Sequence, residues 1–241
     1  MIVGIYGFQD AGKTTLVEQL VKALSKKGYK VASVKHTPHK KSIDVEGKDT
    51  FRHWLAGSDP VVFSSAIETS IIKHSKTPID DITRMVMSEF HPDVIIVEGL
   101  KGEGSFPKVA VGALRPTRGT VLTNPKLEEL LGYVETEVEV DRVLERLPGL
   151  DCGKCGYDCE GLARAVVDQK LKVSDCKELP DIGVEVFVGK NKIPMGRFAS
   201  KIVNDTVRGM LTSLKGYESK EDVEIHLHAA RRAKVERKQG L

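Results

Sequence analysis

The sequence predicts an α/β protein in which a mostly parallel central sheet is flanked by helices and followed by a small cysteine-rich α+β region. Short apolar runs alternate with helical patterns through the first half of the 241 residues, as in βαβ folds. The chain opens with an apolar run that passes through a glycine-containing loop into an amphipathic segment. All four cysteines lie outside this alternation, between positions 152 and 176. We therefore expect one large α/β domain and a separate cysteine-bearing region.

Two breaks rich in proline and glycine divide the chain. Pro148-Gly149 ends the alternating half, and a second break at 180–183 ends the cysteine segment. We therefore expect a phosphate-loop domain at 1–148, a four-cysteine segment at 149–180 and a small region of hairpin plus helix at 181–241.

Apolar periodicity and helix-breaking residues predict the individual elements. Strands are expected at 2–6, 29–35, 60–64, 70–74, 93–99, 109–114 and 120–122, and helices at 16–27, 51–56, 79–89 and 127–131. Asp49 or Thr50 is the expected N-cap of the second of these helices. Alternating valines and acids predict a strand over Val134–Val140, with helical turns at 141–147. The last expected elements are a hairpin of 184–188 with 193–195 and a helix at 196–214.

The composition and the net charge limit which partners and which cellular location we expect for the protein. The net charge of +3 gives no global nucleic-acid signal, and we expect no nucleic-acid partner. Basic residues do cluster at 231–238, which we interpret as a solvated, partly frayed helical tail, with a contact for an acidic partner or nucleic acid as the alternative. The opening apolar stretch lacks a basic leader, and no run approaches the ~18 apolar residues of a membrane span. We therefore expect a cytoplasmic protein without a membrane segment.

Residues Gly7 to Thr14 fit the pattern G-x-x-x-x-G-K-[ST] at a predicted junction between a strand and a helix. Such a loop binds nucleotide phosphates through its backbone amides and the N-terminus of the following helix. Lys13 is expected to reach the β- and γ-phosphates, and the Thr14 hydroxyl to ligate Mg²⁺. The expected nucleotide-binding residues are Gly7, Asp10, Ala11, Gly12, Lys13, Thr14 and Thr15. The simpler alternative is a glycine-containing turn with an exposed lysine.

A nucleotide site of this kind also needs an acid that orders Mg²⁺ and its waters. The apolar run 94–97 is flanked by two candidates, Asp93 before it and Glu98 after it. We favour Glu98, because the carboxyl ends of parallel strands lie on the side where the phosphate loop opens. The alternative for Glu98 is a strand-terminal acid that faces solvent.

Four polar residues follow the second predicted strand, at the same edge of the sheet. Asp44 and Asp49 are candidates for contacts with the metal or the substrate, and His36 and His39 for contacts with an anionic ligand. Each of them alone fits a surface residue better, and what favours a site is that they gather at one edge of the sheet. The guanine-reading pattern [N/T]-K-x-D is absent, since Thr123-Asn-Pro-Lys126 lacks the aspartate at the required place. The motifs alone therefore leave GTP and ATP both open.

The cysteines follow the pattern C-x2-C-x3-C-x16-C at positions 152, 155, 159 and 176. Four thiolates are the ligand set of a [4Fe–4S] cluster or of a Cys₄ zinc site. A helix predicted at 160–172 would bring Cys176 back to Cys152, Cys155 and Cys159. The segment resembles small iron–sulfur modules that open with Cys-Gly-x-Cys-Gly-Tyr, but those modules usually have four residues between the second and third cysteines. The shorter spacing leaves a zinc site open, and thiols that bind no metal are the third alternative. A metal centre here could also serve only to staple a small region.

Several short motifs occur in order in the first 115 residues. They are Gly7–Thr15, Val34-Lys-His-Thr37, Asp44 with Gly47-Lys-Asp-Thr50, Arg52-His-Trp-Leu-Ala-Gly57, Val97-Glu-Gly-Leu-Lys101 and Pro107-Lys-Val-Ala-Val111. In order and spacing they resemble the MobB family of molybdopterin guanine dinucleotide biosynthesis. The chain beyond residue 150 has no counterpart in a minimal member of that family.

The resemblance implies a homodimer that binds GTP with Mg²⁺, hydrolyses it slowly and assists a guanylyltransferase. It implies catalytic roles for Lys13 and Glu98, with Thr14 and Glu98 on the metal side. It also implies that the residues near nucleotide or pterin phosphates include Lys35, His36, Asp44 and Asp49.

Two functions are consistent with these features. In the first, the protein is a GTP-binding accessory factor whose iron–sulfur centre senses redox state or docks a molybdo- or tungsto-enzyme. In the second, it is a nucleotide-switched protein of iron–sulfur or metallocentre maturation and not itself a catalyst.

Overall fold

The computed structural model describes residues 1–102, 104–181, 183–189, 191–218 and 222–223. The chain forms two compact units. The first unit comprises Met1–Leu147 with Asp151–Cys176, and the second comprises Pro148–Leu150 with the chain from Lys177 onward. The basic cluster at 231–238 lies outside the described residues. The division into three functional segments stays a prediction.

The elements of the first unit follow the predicted alternation. Its strands are β1 Ile2–Gly7, β2 Val31–Lys35, β3 Val61–Ser64, β4 Thr69–Ile72, β5 Val94–Glu98, β6 Lys108–Val111 and β7 Thr120–Thr123. Its helices are α1 Lys13–Lys26, α2 Asp49–Leu55, α3 Ile79–Phe90, α4 Leu127–Arg146 and α5 Cys159–Val167, with a 3-10 turn at Val173–Asp175. The second unit contains β8 Phe187–Val188, β9 Asn191–Lys192 and α6 Arg197–Leu211.

The central sheet has the strand order β2-β5-β1-β6-β7, and all its neighbouring strands are parallel. The pair β3–β4 forms a separate antiparallel hairpin. The predicted fold class, a mostly parallel sheet with flanking helices, is confirmed. Parallel pairing places the carboxyl ends of β1, β2, β5 and β6 at one edge, where the phosphate loop also lies.

Helices cover the sheet on both faces. On one face, Val3 and Ile5 of β1 pack with Leu20 and Leu24 of α1 and with Val134 of α4. On the other face, residues of α3 pack against β5; this cluster includes Ile79, Ile95, Val97, Leu100 and Phe106. Burial from both sides explains why β1 and β5 are continuous apolar runs rather than alternating ones.

The predicted strand over Val134–Val140 is wrong, because these residues belong to the 20-residue helix α4. Leu130, Val134 and Val138 are spaced by four residues and are all buried. They form one stripe of the helix that joins the core cluster with α1. The acids between the valines give the alternating pattern that is typical of a strand. The segment is helical because the helix buries its apolar stripe against α1.

Several predicted boundaries also shift. The N-cap of α2 is Lys48, so the prediction that Asp49 or Thr50 caps this helix is wrong. The strand expected at 109–114 ends at Val111, because Gly112 has a φ of 94°. The helix expected at 160–172 ends at Val167.

The second unit contains a hairpin and a helix as predicted, but the strand expected at 193–195 is wrong, because the second strand is Asn191–Lys192, within the segment expected to form the turn. The hairpin is formed by two strands of two residues each, β8 and β9. Lys190 lies outside the described residues. The helix expected at 196–214 runs from Arg197 to Leu211.

Candidate nucleotide-binding site

The loop between β1 and α1 has the backbone that a phosphate site requires. A Cβ on Gly7 would lie 2.2 Å from the carbonyl oxygen of Val111, so only glycine fits there. Gly12 adopts a left-handed φ of 85° at the N-cap of α1, and Asp10 has a φ of 60°. No side chain caps the first turn of α1, so its amides are available to an anionic ligand.

The amine of Lys13 lies over this loop. It donates a hydrogen bond to the carbonyl oxygen of Phe8, the residue that follows Gly7. The lysine thus bridges the helix start and the beginning of the loop, where a terminal phosphate binds in phosphate-loop proteins.

Glu98 ends β5 beside this loop and is only 6% exposed. The Thr14 hydroxyl donates a hydrogen bond of 2.8 Å to its Oε1, and the Lys35 amine donates to the same oxygen. Burial alone would raise the pKa of Glu98, but the hydrogen bonds from Lys35 and Thr14 and the charges of Lys35 and Lys13 outweigh it and lower the pKa. The structure therefore brings together an ionised carboxylate, a hydroxyl and two cations.

Asp93 lies at the opposite end of β5. Its carboxylate accepts a hydrogen bond of 2.8 Å from the backbone N–H of Lys30 and another of 2.8 Å from Arg142. The Lys30 hydrogen bond, which outweighs burial, and the Arg142 contact lower its pKa. Asp93 is therefore a structural tie between elements, and Glu98 is the acid beside the phosphate loop.

The Lys35–His36 segment is fixed against the end of β5. The backbone N–H of His36 donates to the carbonyl oxygen of Glu98 at 2.8 Å. A Cβ on Gly99 would lie 2.4 Å from the carbonyl oxygen of His36, and Gly99 has a φ of 98°. The Nδ1 atom of His36 is buried and has no hydrogen-bond partner among the described residues.

Asp44 is buried in a polar cluster of its own. Its carboxylate accepts a hydrogen bond of 2.7 Å from the Thr50 hydroxyl and lies 3.0 Å from Nε2 of His74. The His74 ring stacks on Trp54 at a centroid distance of 4.0 Å. This cluster, which we call the Asp44 clasp, ties the loop after β2 to α2 and to the segment after β4.

Asp49 lies outside this clasp. Its side chain is exposed and lies 3.6 Å from Arg52 in the next turn of α2. The predicted roles of Asp44 and Asp49 near phosphates stay predictions. His74 was not anticipated from the sequence, because a single histidine far along the chain carries no local signal.

Two further contacts at the phosphate loop were not predicted from the sequence. The Lys101 amine lies 3.9 Å from the centroid of the exposed Phe8 ring. The Asn124 side chain accepts a hydrogen bond of 2.6 Å from the Gly112 N–H, and a Cβ on Gly112 would lie 3.0 Å from Cβ of Ala11. Lys101 could have been noticed, because it belongs to the Val97–Lys101 motif, whereas the role of Asn124 depends on strand order.

The part of the cysteine segment that carries all four cysteines, Asp151–Cys176, belongs to the same compact unit as the phosphate loop. Its helix α5 packs along α4, and Arg164 of α5 pairs with Glu137 of α4 at 2.8 Å and with Glu160 at 2.9 Å. This ion-pair network and the buried Leu162 and Ala163 fix α5 in place.

The four thiols differ in exposure. Cys152 is exposed, Cys155 and Cys159 are half-buried, and Cys176 is buried. Within the described part of the chain, no three potential ligand side chains of His, Cys, Asp or Glu are gathered closely enough to hold a metal. The chemistry of the donors still fits a thiolate-ligated centre, since four thiols lie in one segment whose Gly153 and Gly156 have left-handed φ values of 68° and 89°.

Comparison with known proteins identifies the family. A family model described as MobB, molybdopterin guanine dinucleotide synthesis protein B, matches residues 2–137, more than half of the chain. The chain belongs to the MobB family. A second family model, described as "Putative Fe-S cluster", matches residues 147–178, which include all four cysteines.

Curated relatives agree with this assignment. A "Putative molybdopterin-guanine dinucleotide biosynthesis adapter protein" of Methanocaldococcus jannaschii is 28% identical over 239 residues, covering 95% of this chain and 98% of the relative. A "Molybdopterin-guanine dinucleotide biosynthesis adapter protein" of Haemophilus influenzae is 31% identical over 146 residues, covering 59% of this chain and 79% of the relative. The match to the Methanocaldococcus jannaschii relative, at 95% of this chain, includes the cysteine segment.

A solved structure of Bacillus subtilis MobB aligns with 53% of this chain and 82% of its own at 25% identity and a TM-score of 0.43. The fold assignment comes from this chain's own sheet order and phosphate loop. Among the described helices, none combines the length and the apolar character that crossing a membrane requires.

Proposed function

We propose that this MobB-family protein is a GTP-binding adapter in the biosynthesis of molybdopterin guanine dinucleotide, carrying an additional iron–sulfur segment. The observation that carries the proposal is the hydrogen bond of 2.8 Å between the Thr14 hydroxyl and the buried, ionised Glu98, directly beside Lys13. A hydroxyl, an acid and a lysine in this relation are the parts with which phosphate-loop proteins hold a nucleotide and its magnesium ion.

Each of these residues has a separate task. The backbone amides at 8–14 bind the phosphates, and Lys13 exchanges the Phe8 carbonyl for the β- and γ-phosphates. Mg²⁺, when bound, neutralises phosphate charge; Thr14 is its protein ligand, and Glu98 orients the ligands around it. Lys35, which neutralises Glu98 in this structure, is released toward the nucleotide or the pterin phosphate.

Hydrolysis is slow in the absence of a partner. Arg52 pairs with Asp49, and none of the described arginines contacts the phosphate loop. A positioned arginine accelerates GTP hydrolysis by about 10³- to 10⁵-fold, so turnover depends on one supplied by a partner. That partner is the guanylyltransferase of the pathway or the second subunit of a cytoplasmic homodimer.

The four cysteines bind a [4Fe–4S] cluster, with zinc as the alternative metal. The match of residues 147–178 to an iron–sulfur family model supports the cluster. Because Cys152 is exposed, the loop that carries it can move toward the other three thiols when metal is bound. Anaerobically prepared protein should be brown, with broad absorption near ~400 nm, whereas colourless protein with stoichiometric zinc would decide for the alternative.

Nucleotide specificity is tested by equilibrium binding of GTP and ATP with Mg²⁺ to the full chain. We expect a preference for GTP, and loss of binding in Lys13→Ala. The exposed Lys22 of α1, changed to alanine, is the matched control and should leave binding unchanged. Equal affinity for GTP and ATP, or no binding of either, would contradict the proposal.

A second function, a nucleotide-switched protein of iron–sulfur or metallocentre maturation, is favoured by one observation. Helix α1 begins at the phosphate loop and packs on α4, which in turn packs on α5 beside the cysteines. This continuous packing can couple nucleotide state to the metal centre. Transfer of the cluster to an acceptor protein only in the presence of GTP, with no effect on guanylyl transfer, would favour this function.

A further inference from the structure

Two lysines that are far apart in the sequence, Lys13 and Lys101, both contact Phe8. Its carbonyl oxygen accepts a hydrogen bond from Lys13, and its ring lies 3.9 Å from the amine of Lys101. The ring is 56% exposed, so the Lys101 contact lies at the open side of the loop. Because Lys13 serves the β- and γ-phosphates, the position of Phe8 marks the end of the loop where the terminal phosphate binds.

The backbone of Lys101 is held in place at this position. The preceding Leu100 is buried in the core, at 2% exposure, and Gly99 is locked against His36. The Thr117 hydroxyl donates a hydrogen bond of 3.1 Å to the Lys101 carbonyl oxygen. The side chain of Lys101 is therefore the part of this segment that is free to move.

In the described part of the chain, Lys101 has no partner of opposite charge. Lys35 is paired with Glu98, and Lys13 reaches the phosphates from the helix start. Among the described residues, no carboxylate lies within ion-pair distance of Lys101, and the one charge-related contact that they make with its amine is the Phe8 ring. An exposed contact between an ammonium group and an aromatic ring is weaker than a charge-assisted hydrogen bond to phosphate.

We propose that Lys101 leaves the Phe8 ring to bind the terminal phosphate of a nucleoside triphosphate, and thereby makes the site distinguish triphosphate from diphosphate. This inference rests on the proposed GTP binding. Lys13 contacts both the β- and the γ-phosphate, so its loss weakens both nucleotides, whereas Lys101 contributes only when the γ-phosphate is present. The Thr117 hydrogen bond then connects the phosphate state to the loop between β6 and β7.

The test measures the affinities of a non-hydrolysable GTP analogue (GMPPNP) and of GDP, each with Mg²⁺, for the full chain. In Lys101→Ala we expect GMPPNP binding to weaken about tenfold, with GDP binding unchanged within about twofold. Lys101→Arg keeps the charge and should restore GMPPNP affinity. Lys22→Ala removes an equivalent exposed charge elsewhere on the surface and should change neither affinity.

Two results would overturn the inference alone. They are a Lys101→Ala variant that binds GMPPNP as the wild type does, and one that loses GMPPNP and GDP equally. A wild-type protein that binds neither nucleotide would overturn the proposed function together with this inference. Thermal unfolding of each variant excludes loss of folding as the cause of a weaker affinity.

Discussion

At the scale of single residues, Glu98 is the centre of the candidate site. It was predicted from a run of apolar residues that ends in an acid, because the carboxyl ends of parallel strands meet the phosphate loop. Its contacts with Thr14 and Lys35 could not be predicted, since both hydroxyl and amine come from other strands or helices. The lowered pKa of Glu98 keeps it ionised at neutral pH, which a magnesium site requires.

Glu98→Gln removes this charge while keeping an acceptor for Thr14. We expect the gain in GTP affinity on adding Mg²⁺ to fall by about tenfold, or about 1.4 kcal/mol. Titrations of GTP with Mg²⁺ and with EDTA measure this gain. An unchanged dependence on Mg²⁺ would show that Glu98 does not serve the metal.

Asp44 provides a second residue-scale prediction, because it is buried within the clasp. Asp44→Asn leaves His74 or Thr50 without its charged acceptor, so we expect a loss of about 1 to 3 kcal/mol in the free energy of unfolding. Urea unfolding measures this loss. The exposed Asp49, changed to asparagine, is the control and should alter stability by less than about 0.5 kcal/mol. Equal effects at both positions would contradict the clasp.

At the scale of elements, the local sequence pattern was sufficient to predict a helix or strand where its apolar periodicity matches the face that the fold buries. Strands β1 and β5 and helix α3 were predicted because apolar runs and an initial proline define them without tertiary information. The sequence predicted three separate elements where the structure has the single helix α4, because valines between acids alternate there as in a strand. Only the neighbouring α1, which buries Leu130 and Val134, decides for the helix.

A glycine pair tests the helical assignment of α4. Gly132 is exposed inside this helix, and nothing lies within 4 Å of a Cβ added there. Gly132→Ala should therefore raise the free energy of unfolding by about 0.5 to 1 kcal/mol. Gly28 also has open space but a φ of 90°, so Gly28→Ala should lower stability instead. Stabilisation of both variants, or of neither, in denaturant unfolding would contradict this account.

At the scale of the whole molecule, the phosphate loop and the four cysteines, within Asp151–Cys176, belong to one compact unit. The sequence breaks suggested separate segments, because Pro148-Gly149 interrupts the pattern. The packing of α5 on α4, fixed by Arg164 and Glu137, depends on side chains 27 residues apart and has no local signature. The cysteine spacing suggested a gathered set of four thiols, but among the described residues no three potential ligands lie close enough together to hold a metal.

Asp93 ties three parts of this unit together and predicts a pH dependence. Its pKa lies below the ordinary 3.8, so its contribution to stability is complete above that value and is lost as the pH falls through the lowered pKa. Asp93→Asn should therefore destabilise the protein by about 1 to 3 kcal/mol at pH 7, and progressively less below pH 4. Unfolding measured across this range checks the prediction, and a loss that does not depend on pH would contradict it.

If the phosphate loop acts with a partner enzyme, that enzyme should change the rate of GTP turnover by the full chain. Turnover is measured with and without the molybdopterin guanylyltransferase, with Lys13→Ala as the control. We expect slow hydrolysis by the chain alone, acceleration of at least about tenfold in the presence of the partner, and no turnover in the variant. The absence of both stimulation and a stable complex would contradict the account.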